Sequence, residues 1–224
     1  MFATAYYNLA FNIEVYDKNF EEAKILYEKA IDLEPMNTRA YNNLAGLCSK
    51  ELKNPQKAKL FYEKALEINP YDAEGHYNLA TLIARAFKDN DTARHHYETA
   101  INLQPNFVDA KHNYGMLLIS SLSLFDRAKK QFLEILEIEH DKKKTLKQLA
   151  KLFEEHYKNL KEAKFYNDRF ILIKPNEAED HYWYSTFLIL HFLPEYKETA
   201  KLHYDIACKM DISYKVEIID MLFR

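Results

Sequence analysis

The nine histidines are the side chains best suited to acid–base or metal chemistry, and they are scattered along the chain. His95 and His96 are adjacent, so on a helix they point to different faces and cannot bind one metal ion together. The sequence contains no HExxH motif, no CxxC motif and no glycine-rich phosphate loop. Glu154 and Glu155 are expected to lie on a solvated face. The sequence therefore predicts no catalytic site, no cofactor and no metal, and so no enzymatic activity.

Asparagine is the polar residue that recurs at a fixed spacing. Four asparagines lie 35 residues apart: Asn8, Asn43, Asn78 and Asn113. Gln148 continues this column and Trp183 ends it. An asparagine side chain offers a carbonyl acceptor and an amide donor, so it can pair with one peptide unit of another chain. The elements that carry these residues must repeat with the same period.

Apolar residues share this period of 35 residues. One column is mostly leucine: Leu9, Leu44, Leu79, Tyr114 and Leu149. The next column is small: Ala10, Ala45, Ala80, Gly115, Ala150 and Ser185. Further columns are Ala23, Ala58, Ala93, Ala128 and Ala163, then Tyr27, Tyr62, Tyr97 and Phe132, and finally Pro35, Pro70, Pro105 and Pro175. Chance does not align this many columns, so the sequence predicts an array of repeats.

Each repeat is predicted to consist of two helices joined by a tight turn. In the second repeat the first helix is expected from Thr38 to Leu52, and the buried stripe of the second begins at Ala58. Lys53 and Asn54 are expected to make the turn, with Asn54 suited to the left-handed conformation and able to cap the second helix; Asn90 is placed in the same column. The alanines are expected at helix crossings, because only small side chains let helices approach to ~8–10 Å.

Composition limits the possible partners and locations. There are 31 Lys+Arg and 34 Asp+Glu, a net charge of -3, without the basic excess typical of nucleic-acid binders. Two cysteines cannot build a disulfide framework, which favours a reducing, cytoplasmic location, and Cys48 is expected in the core. We expect no signal peptide and no membrane span. The first residues already have helical character without an N-cap, which is typical of a fragment of a longer chain.

The string AYNNLAG, followed by Ala58, Tyr62, Ala65 and Pro70, resembles the tetratricopeptide repeat. The resemblance covers approximately residues 3–212 and implies an all-α, right-handed α-solenoid of about six helical hairpins in a single domain. The expected repeats are 3–37, 38–72, 73–107, 108–142, 143–177 and 178–212, with a C-terminal helix at 213–224. Repeats of this family usually have ~34 residues, so the additional residue is expected in the turn inside each hairpin.

The resemblance implies that the first helices line a concave groove, which the asparagine column faces. In the repeat array of O-linked N-acetylglucosamine transferase, a ladder of such asparagines grips the main chain of an extended peptide. The candidate peptide-binding residues are therefore Asn8, Asn43, Asn78 and Asn113, together with Arg39, Lys50 and Arg85. The alternative is that the asparagines are only solvated. The groove has mixed charge, because Glu74 and Asp109 are acidic, so no single ligand charge is implied.

The resemblance favours a non-catalytic scaffold or adaptor that binds a polypeptide segment of a partner protein, on its own or within a larger assembly. One alternative is RNA binding, because pentatricopeptide repeats are also 35-residue helical hairpins. Their base-reading column corresponds here to Tyr7, Asn42, Tyr77, His112, Lys147 and Tyr182, of which only Asn42 suits base recognition. Another alternative is the substrate-recruiting region of a larger enzyme.

Two segments depart from the repeat pattern. The fifth repeat has Asn167 where an aromatic residue is expected. The C-terminal segment SYKVEIIDMLFR is predicted to be a helix that is apolar on more than one side, through residues such as Val216, Ile218, Ile219 and Leu222. It is expected either to cap the array with one apolar face exposed or to dock onto a partner.

Overall fold

The computed structural model describes residues 2–174 and 177–223, and within them the chain forms thirteen α-helices and no β-strand. The prediction of an all-α chain built from about six helical hairpins is confirmed. Pro175, the last member of the proline column, lies outside the described residues. No helix in the described part of the chain combines the length and the apolar character needed to cross a membrane.

The helices divide between two compact units, residues 1–131 and residues 132–224. The first unit contains α1 Phe2–Asn12, α2 Phe20–Leu33, α3 Thr38–Lys50, α4 Pro55–Ile68, α5 Ala73–Leu82, α6 Asn90–Leu103 and α7 Val108–Ser120. The helix α8, Phe125–Ile138, runs across the division. The second unit contains α9 Lys143–Lys151, α10 Leu160–Leu172, α11 Ala178–Phe192, α12 Lys197–Met210 and α13 Glu217–Leu222. Within each unit consecutive helices form hairpins, and α3 ends two residues before the predicted Leu52.

The turns inside the hairpins repeat at the predicted period. A residue with positive φ occurs every 35 residues: Lys18, Lys53, Lys88, Ser123 and Lys158. The first helix of every second hairpin also widens into a π turn, at Ile13–Asp17, Ile83–Phe87 and Leu152–His156. These devices reverse the chain within a few residues, so that the second helix packs back on the first.

Two details of the predicted turns are wrong. The left-handed residue of the second hairpin is Lys53, and Asn54 acts only as the N-cap, accepting a hydrogen bond from the Lys57 N–H. In the third hairpin the cap is Asp89, which accepts from the Thr92 N–H at 3.1 Å, while Asn90 is already the first residue of α6. Both side chains can cap a helix, and the 35-residue register selects the aspartate.

Alanine occupies the helix crossings, as predicted. Ala23, Ala58, Ala93, Ala128 and Ala163 are all completely buried. The small column on the first helices is also buried, from Ala10 to Ser185. Because only small side chains lie between the backbones at these points, the paired helices approach closely and bury their apolar stripes. Cys48 is completely buried as well, as expected for a core residue.

Asn167 replaces the aromatic residue in the fifth hairpin and is nevertheless completely buried. Its volume is compensated by Phe170, which occupies the column held by Ala30 and Ala65 in earlier hairpins. Exchanging a large and a small residue between adjacent core positions keeps the total volume, which cores tolerate well. Both polar atoms of the Asn167 side chain lack a hydrogen-bond partner among the described residues.

The C-terminal segment forms a short 3₁₀ turn, Ile212–Tyr214, and then α13. The Tyr204 hydroxyl accepts from the Val216 N–H at 2.7 Å and donates to the Val216 carbonyl at 3.1 Å. Ile219 is buried, and the Phe223 ring lies 5.9 Å from that of Tyr204. Leu222 remains exposed. The segment thus folds back on α12 with part of its apolar surface uncovered; the side chain of Ile218 lies outside the described residues.

Candidate functional site

All seven candidate residues lie in the first unit, next to three surface cavities along its first helices. Asn8 and Arg39 line a cavity of about 330 Å³. Arg39 also borders a second cavity of about 410 Å³, whose walls include Asn43 and Asn78. Asn78 in turn borders a groove of about 730 Å³ with Lys50, Arg85 and Asn113. Successive cavities therefore share lining residues, and the structure brings these candidates together along one surface.

The amide of Asn43 is already engaged inside the protein. Its Nδ2 donates to the Tyr7 hydroxyl at 3.1 Å and lies 3.4 Å from the Tyr27 hydroxyl. The Tyr27 hydroxyl donates to Glu14 Oε2 at 2.7 Å. Burial, followed by the hydrogen bond to Glu14, raises the pKa of Tyr27 above its ordinary value. Asn43 can therefore offer a ligand its carbonyl oxygen, but both of its donors point at tyrosines.

Asn113 repeats this arrangement two hairpins later. Its Nδ2 donates to the Tyr77 hydroxyl at 3.1 Å, and the Tyr77 ring lies 6.3 Å from that of Tyr97. The Tyr97 hydroxyl forms a hydrogen bond with Thr81 Oγ1 at 3.0 Å. Burial raises the pKa of Tyr97 to about 12, so the hydroxyl stays neutral at physiological pH. The carbonyl oxygen of Asn113 remains for a ligand.

Asn78 differs from both of its neighbours in the column. The position that holds Tyr7 and Tyr77 holds Asn42 in the intervening hairpin, and Asn42 Nδ2 donates instead to Asp72 Oδ2 at 2.8 Å. Asn78 consequently makes no hydrogen bond to the residues that the structure describes. It is half-buried between two cavities. Of these three asparagines, Asn78 therefore has the most hydrogen-bonding groups available to the main chain of a ligand.

The residue that stands 36 positions before each asparagine alternates between tyrosine and asparagine. This alternation is visible in the sequence, but its effect on the hydrogen bonds of the asparagines is not. Tyrosine stands 36 residues before Asn43 and Asn113, and Asn42 stands 36 residues before Asn78. These three residues belong to the column that corresponds to the base-reading positions of pentatricopeptide repeats. Because Asn42 bonds Asp72, the one side chain in that column that suits base recognition is engaged within the protein.

Lysine and arginine gather at one end of the groove of about 730 Å³. Its lining includes Lys50, Lys53 and Arg85, with Tyr62 and Tyr77 as aromatic walls. Lys53 Nζ donates to the Lys50 carbonyl at 2.5 Å, which satisfies an acceptor at the C-terminal end of α3. Lys50 and Arg85 are exposed.

Two histidine pairs were not predicted. His96 does not act with His95; its Nδ1 lies 2.8 Å from His76 Nδ1. In the sixth hairpin His181 Nδ1 lies 2.7 Å from His203 Nδ1. His76 and His181 occupy the same repeat column, so the two pairs are equivalent. Both of these column members are buried and fill the space between the two helices of their hairpin.

In the second unit the positions of the asparagine column hold other residue types. Gln148 and Trp183 are half-buried in these positions. The Lys147 ammonium lies 5.3 Å from the Trp183 ring centroid and pairs with Glu179 at 2.9 Å. Glu154, expected on a solvated face, is instead only 20% exposed and bonds His191 Nε2 at 2.7 Å. This correction arises because α11 brings a histidine to the π turn that carries Glu154.

Family comparison identifies the repeats. Residues 3–37 and 38–72 match one model of the tetratricopeptide repeat, and residues 61–95 match another. None of the curated protein sequences matches this chain. The segment from residue 3 to residue 95 therefore carries tetratricopeptide repeats.

Several solved structures share the fold. The pilF protein of Pseudomonas aeruginosa is 20% identical with a TM-score of 0.76, covering 94% of this chain and 92% of that one. PilW, a widely conserved type IV pilus biogenesis factor, is 17% identical with a TM-score of 0.73 and covers 99% and 98%. YrrB, a tetratricopeptide-repeat protein with an unusual peptide-binding site, is 23% identical with a TM-score of 0.64 and covers 80% and 89%. These similarities establish the fold, an all-α tetratricopeptide-repeat solenoid.

Proposed function

We propose that this protein is a non-catalytic interaction scaffold that holds an extended segment of a partner protein against the first unit. The observation that carries the proposal is the row of asparagines beside connected cavities, with the uncommitted amide of Asn78 at its centre. Tetratricopeptide repeats over residues 3–95 support an interaction role, and YrrB provides a structural relative described as having a peptide-binding site.

Geometry favours binding through the main chain of the ligand. Equivalent residues on packed neighbouring first helices lie ~10 Å apart, a distance that about three residues of an extended strand cover. Asn43, Asn78 and Asn113 can then contact one strand at regular intervals. Asn78 can both donate and accept, whereas Asn43 can only accept. The proposed ladder is therefore unequal, with Asn78 as its main contact.

Two other functions have less support. RNA recognition through the base-reading column is disfavoured by the hydrogen bond from Asn42 to Asp72 and by the net charge of -3. A role as the substrate-recruiting region of a larger enzyme would use the same groove and differs only in what the chain is attached to. Docking through α13 would use the exposed Leu222 and Met221.

Site-specific photocrosslinking tests the proposal and identifies the partner in the same experiment. Benzoylphenylalanine replaces Ala86, an exposed residue that lines the same groove as Asn78, in one variant and Leu60, an exposed residue on the second helix α4, in a matched control. In extract from the native source, we expect a discrete protein crosslink from position 86 that is absent from position 60. Crosslinks of equal pattern and yield at both positions would contradict binding in the groove.

The partner identified in this way allows the asparagines to be ranked. We expect Asn78→Ala to weaken binding by about 1–3 kcal/mol, because it removes up to two hydrogen bonds at ~0.5–1.5 kcal/mol each. That corresponds to roughly 5- to 150-fold in affinity. Asn43→Ala should weaken binding less and destabilise the fold more, because it also removes the contacts to Tyr7 and Tyr27. Isothermal titration and thermal melting measure the two effects; equal affinity of wild type and Asn78→Ala would exclude the ladder.

A further inference from the structure

The groove beside Asn78 and Asn113 is basic at one end and carries no carboxylate among its described lining residues. The groove of about 730 Å³ is lined by three cations, Lys50, Lys53 and Arg85. Arg85 also lines an adjoining cavity of about 410 Å³, whose other charged wall residue is Lys88. Ser120 and Ser121 add hydroxyl groups to that cavity. Both spaces therefore present positive charge and hydrogen-bond donors to whatever enters them.

These cations lack counterions in the part of the chain that the structure describes. Across the described residues, Lys50, Arg85 and Lys88 form no ion pair. Cations on the second helices of the same unit behave differently: Lys59 pairs with Glu63 and Arg94 pairs with Asp91. An anion that enters the groove therefore does not have to compete with a protein carboxylate.

Acidic residues lie at the other end of the same helices. Asp72 and Glu74 line the cavity that contains Asn43, close to the N-terminal end of α5. The helix dipoles favour this segregation, with acids near N-termini and bases near C-termini. The dipoles explain why the acidic and basic side chains are stable at opposite ends of the helices. The end of the groove near the hairpin turns, which carries Lys50 and Arg85, still presents a positive electrostatic potential to a ligand.

We propose that this groove binds an acidic stretch of polypeptide, with carboxylates at alternate positions reaching Lys50 and Arg85. The inference rests on the proposed function and specifies its ligand. In an extended strand alternate side chains point to the same side, so one acidic edge can face the cations while Asn78 and Asn113 hold the main chain. Polypeptide is favoured over RNA because Asn42, the one side chain of the base-reading column that suits base recognition, is engaged by Asp72.

Selection from a random dodecapeptide library tests the inference directly. The baits are the wild type, Arg85→Glu and Lys144→Glu, a variant with the same change of net charge at an exposed lysine of the second unit. We expect wild type and Lys144→Glu to enrich Asp and Glu at alternate positions. Arg85→Glu should lose that enrichment or enrich Lys and Arg instead. Circular dichroism checks that Arg85→Glu folds, and Lys50→Glu replaces it if it does not.

A selected peptide then provides the quantitative test. Replacing its Asp and Glu residues by Asn and Gln should weaken binding to wild type about tenfold or more. Raising the salt concentration should weaken the binding of the acidic peptide but not that of its amide counterpart. Peptides that bind through Asn78 without an acidic preference would overturn this inference and leave the proposed function intact. Failure to select any peptide would overturn both. Tighter, Arg85-dependent binding of oligouridine than of the peptides would replace polypeptide by nucleic acid as the occupant.

Discussion

Single side chains at the helix crossings determine how closely the helices of each hairpin approach. Ala58 lies on α4 and is completely buried. We expect Ala58→Phe to lower the free energy of unfolding by ~1–3 kcal/mol or more, because the larger ring forces the helices apart. The same substitution at Ala5, an exposed alanine of α1, is the control and should change stability by less than ~0.5 kcal/mol. Urea denaturation measures both, and equal stabilities would contradict the crossing role of the alanine column.

Asn167 offers the opposite prediction, because it is a buried polar residue without a partner among the described residues. Leucine has nearly the same shape. We expect Asn167→Leu to raise the free energy of unfolding by about 1–3 kcal/mol, the usual cost of an unsatisfied buried polar group. Asn167→Asp at the same site should be strongly destabilising, because it buries a charge. A less stable leucine variant would mean that the amide is hydrogen-bonded through water.

At the scale of paired helices, the histidine pairs make stability depend on pH. The His76 Nε2 lies 3.1 Å from the Pro70 carbonyl and donates to it, so the His76 Nδ1 accepts from His96 in the neutral pair. Burial, with a smaller contribution from His76, lowers the pKa of His96 to about 4. Burial likewise lowers the pKa of His203 to about 4, with His181 as the second cause. Both pairs therefore fit the fold in their neutral form.

The direction of the pH effect follows from these shifts. The unfolded chain takes up protons at its histidines near pH ~6.5, whereas folded His96 and His203 do so only near pH 4. Their contribution to stability is complete above pH ~6.5, falls as the pH decreases towards 4, and is constant below that. We expect a loss of about 1–3 kcal/mol for each of the two histidines, reduced by their partial exposure.

A double variant distinguishes the pH dependence caused by the histidine pair from that caused by other titrating groups of the chain. His76→Tyr with His96→Phe installs the residue types of the equivalent pair Tyr41 and Phe61, whose rings lie 6.3 Å apart. Urea denaturation at pH 7.5 and pH 5.0, followed by circular dichroism, should show a smaller pH dependence for the double variant than for wild type. Identical pH dependence would show that the pair is protonated without cost.

At the scale of the whole molecule, the single tryptophan allows the unfolding of the second unit to be followed separately. Trp183 lies on α11 in the second unit, so its fluorescence reports that unit alone, whereas circular dichroism reports both. Deleting residues 213–224 removes both hydrogen bonds of the Tyr204 hydroxyl to Val216 and uncovers the Tyr204 ring. We expect a lower melting temperature by fluorescence and lower solubility, because buried apolar surface becomes exposed.

The matched control for the deletion is Met221→Ser, which changes an exposed residue of the same helix and keeps the contacts of Tyr204. Its fluorescence transition should coincide with that of wild type. If the truncated chain melts like wild type and remains as soluble, α13 does not stabilise the second unit. In that case its exposed Leu222 and Met221 would be better explained by a partner.

Much of the fold could be predicted because the determining pattern is local. Each hairpin repeats the same spacing of leucine, alanine and tyrosine. Spacings of three and four residues within a helix place these side chains on one face, and the period of 35 residues repeats that face in each hairpin. The alanine column from Ala23 to Ala163 thus indicated the crossings, and the structure buries every member. The same periodicity places Asn43, Asn78 and Asn113 in one column without reference to any contact.

The partners of the polar side chains could be decided only by the tertiary structure. Whether an asparagine is available depends on a residue 36 positions earlier, Tyr7 for Asn43 and Asn42 for Asn78. The pairing of His76 with His96 depends on how α5 and α6 lie against each other over a 20-residue separation. Apolar burial follows from periodicity because the hydrophobic effect is non-directional. A hydrogen bond requires specific atoms within about 3 Å in the correct orientation, and only the packed helices supply that geometry.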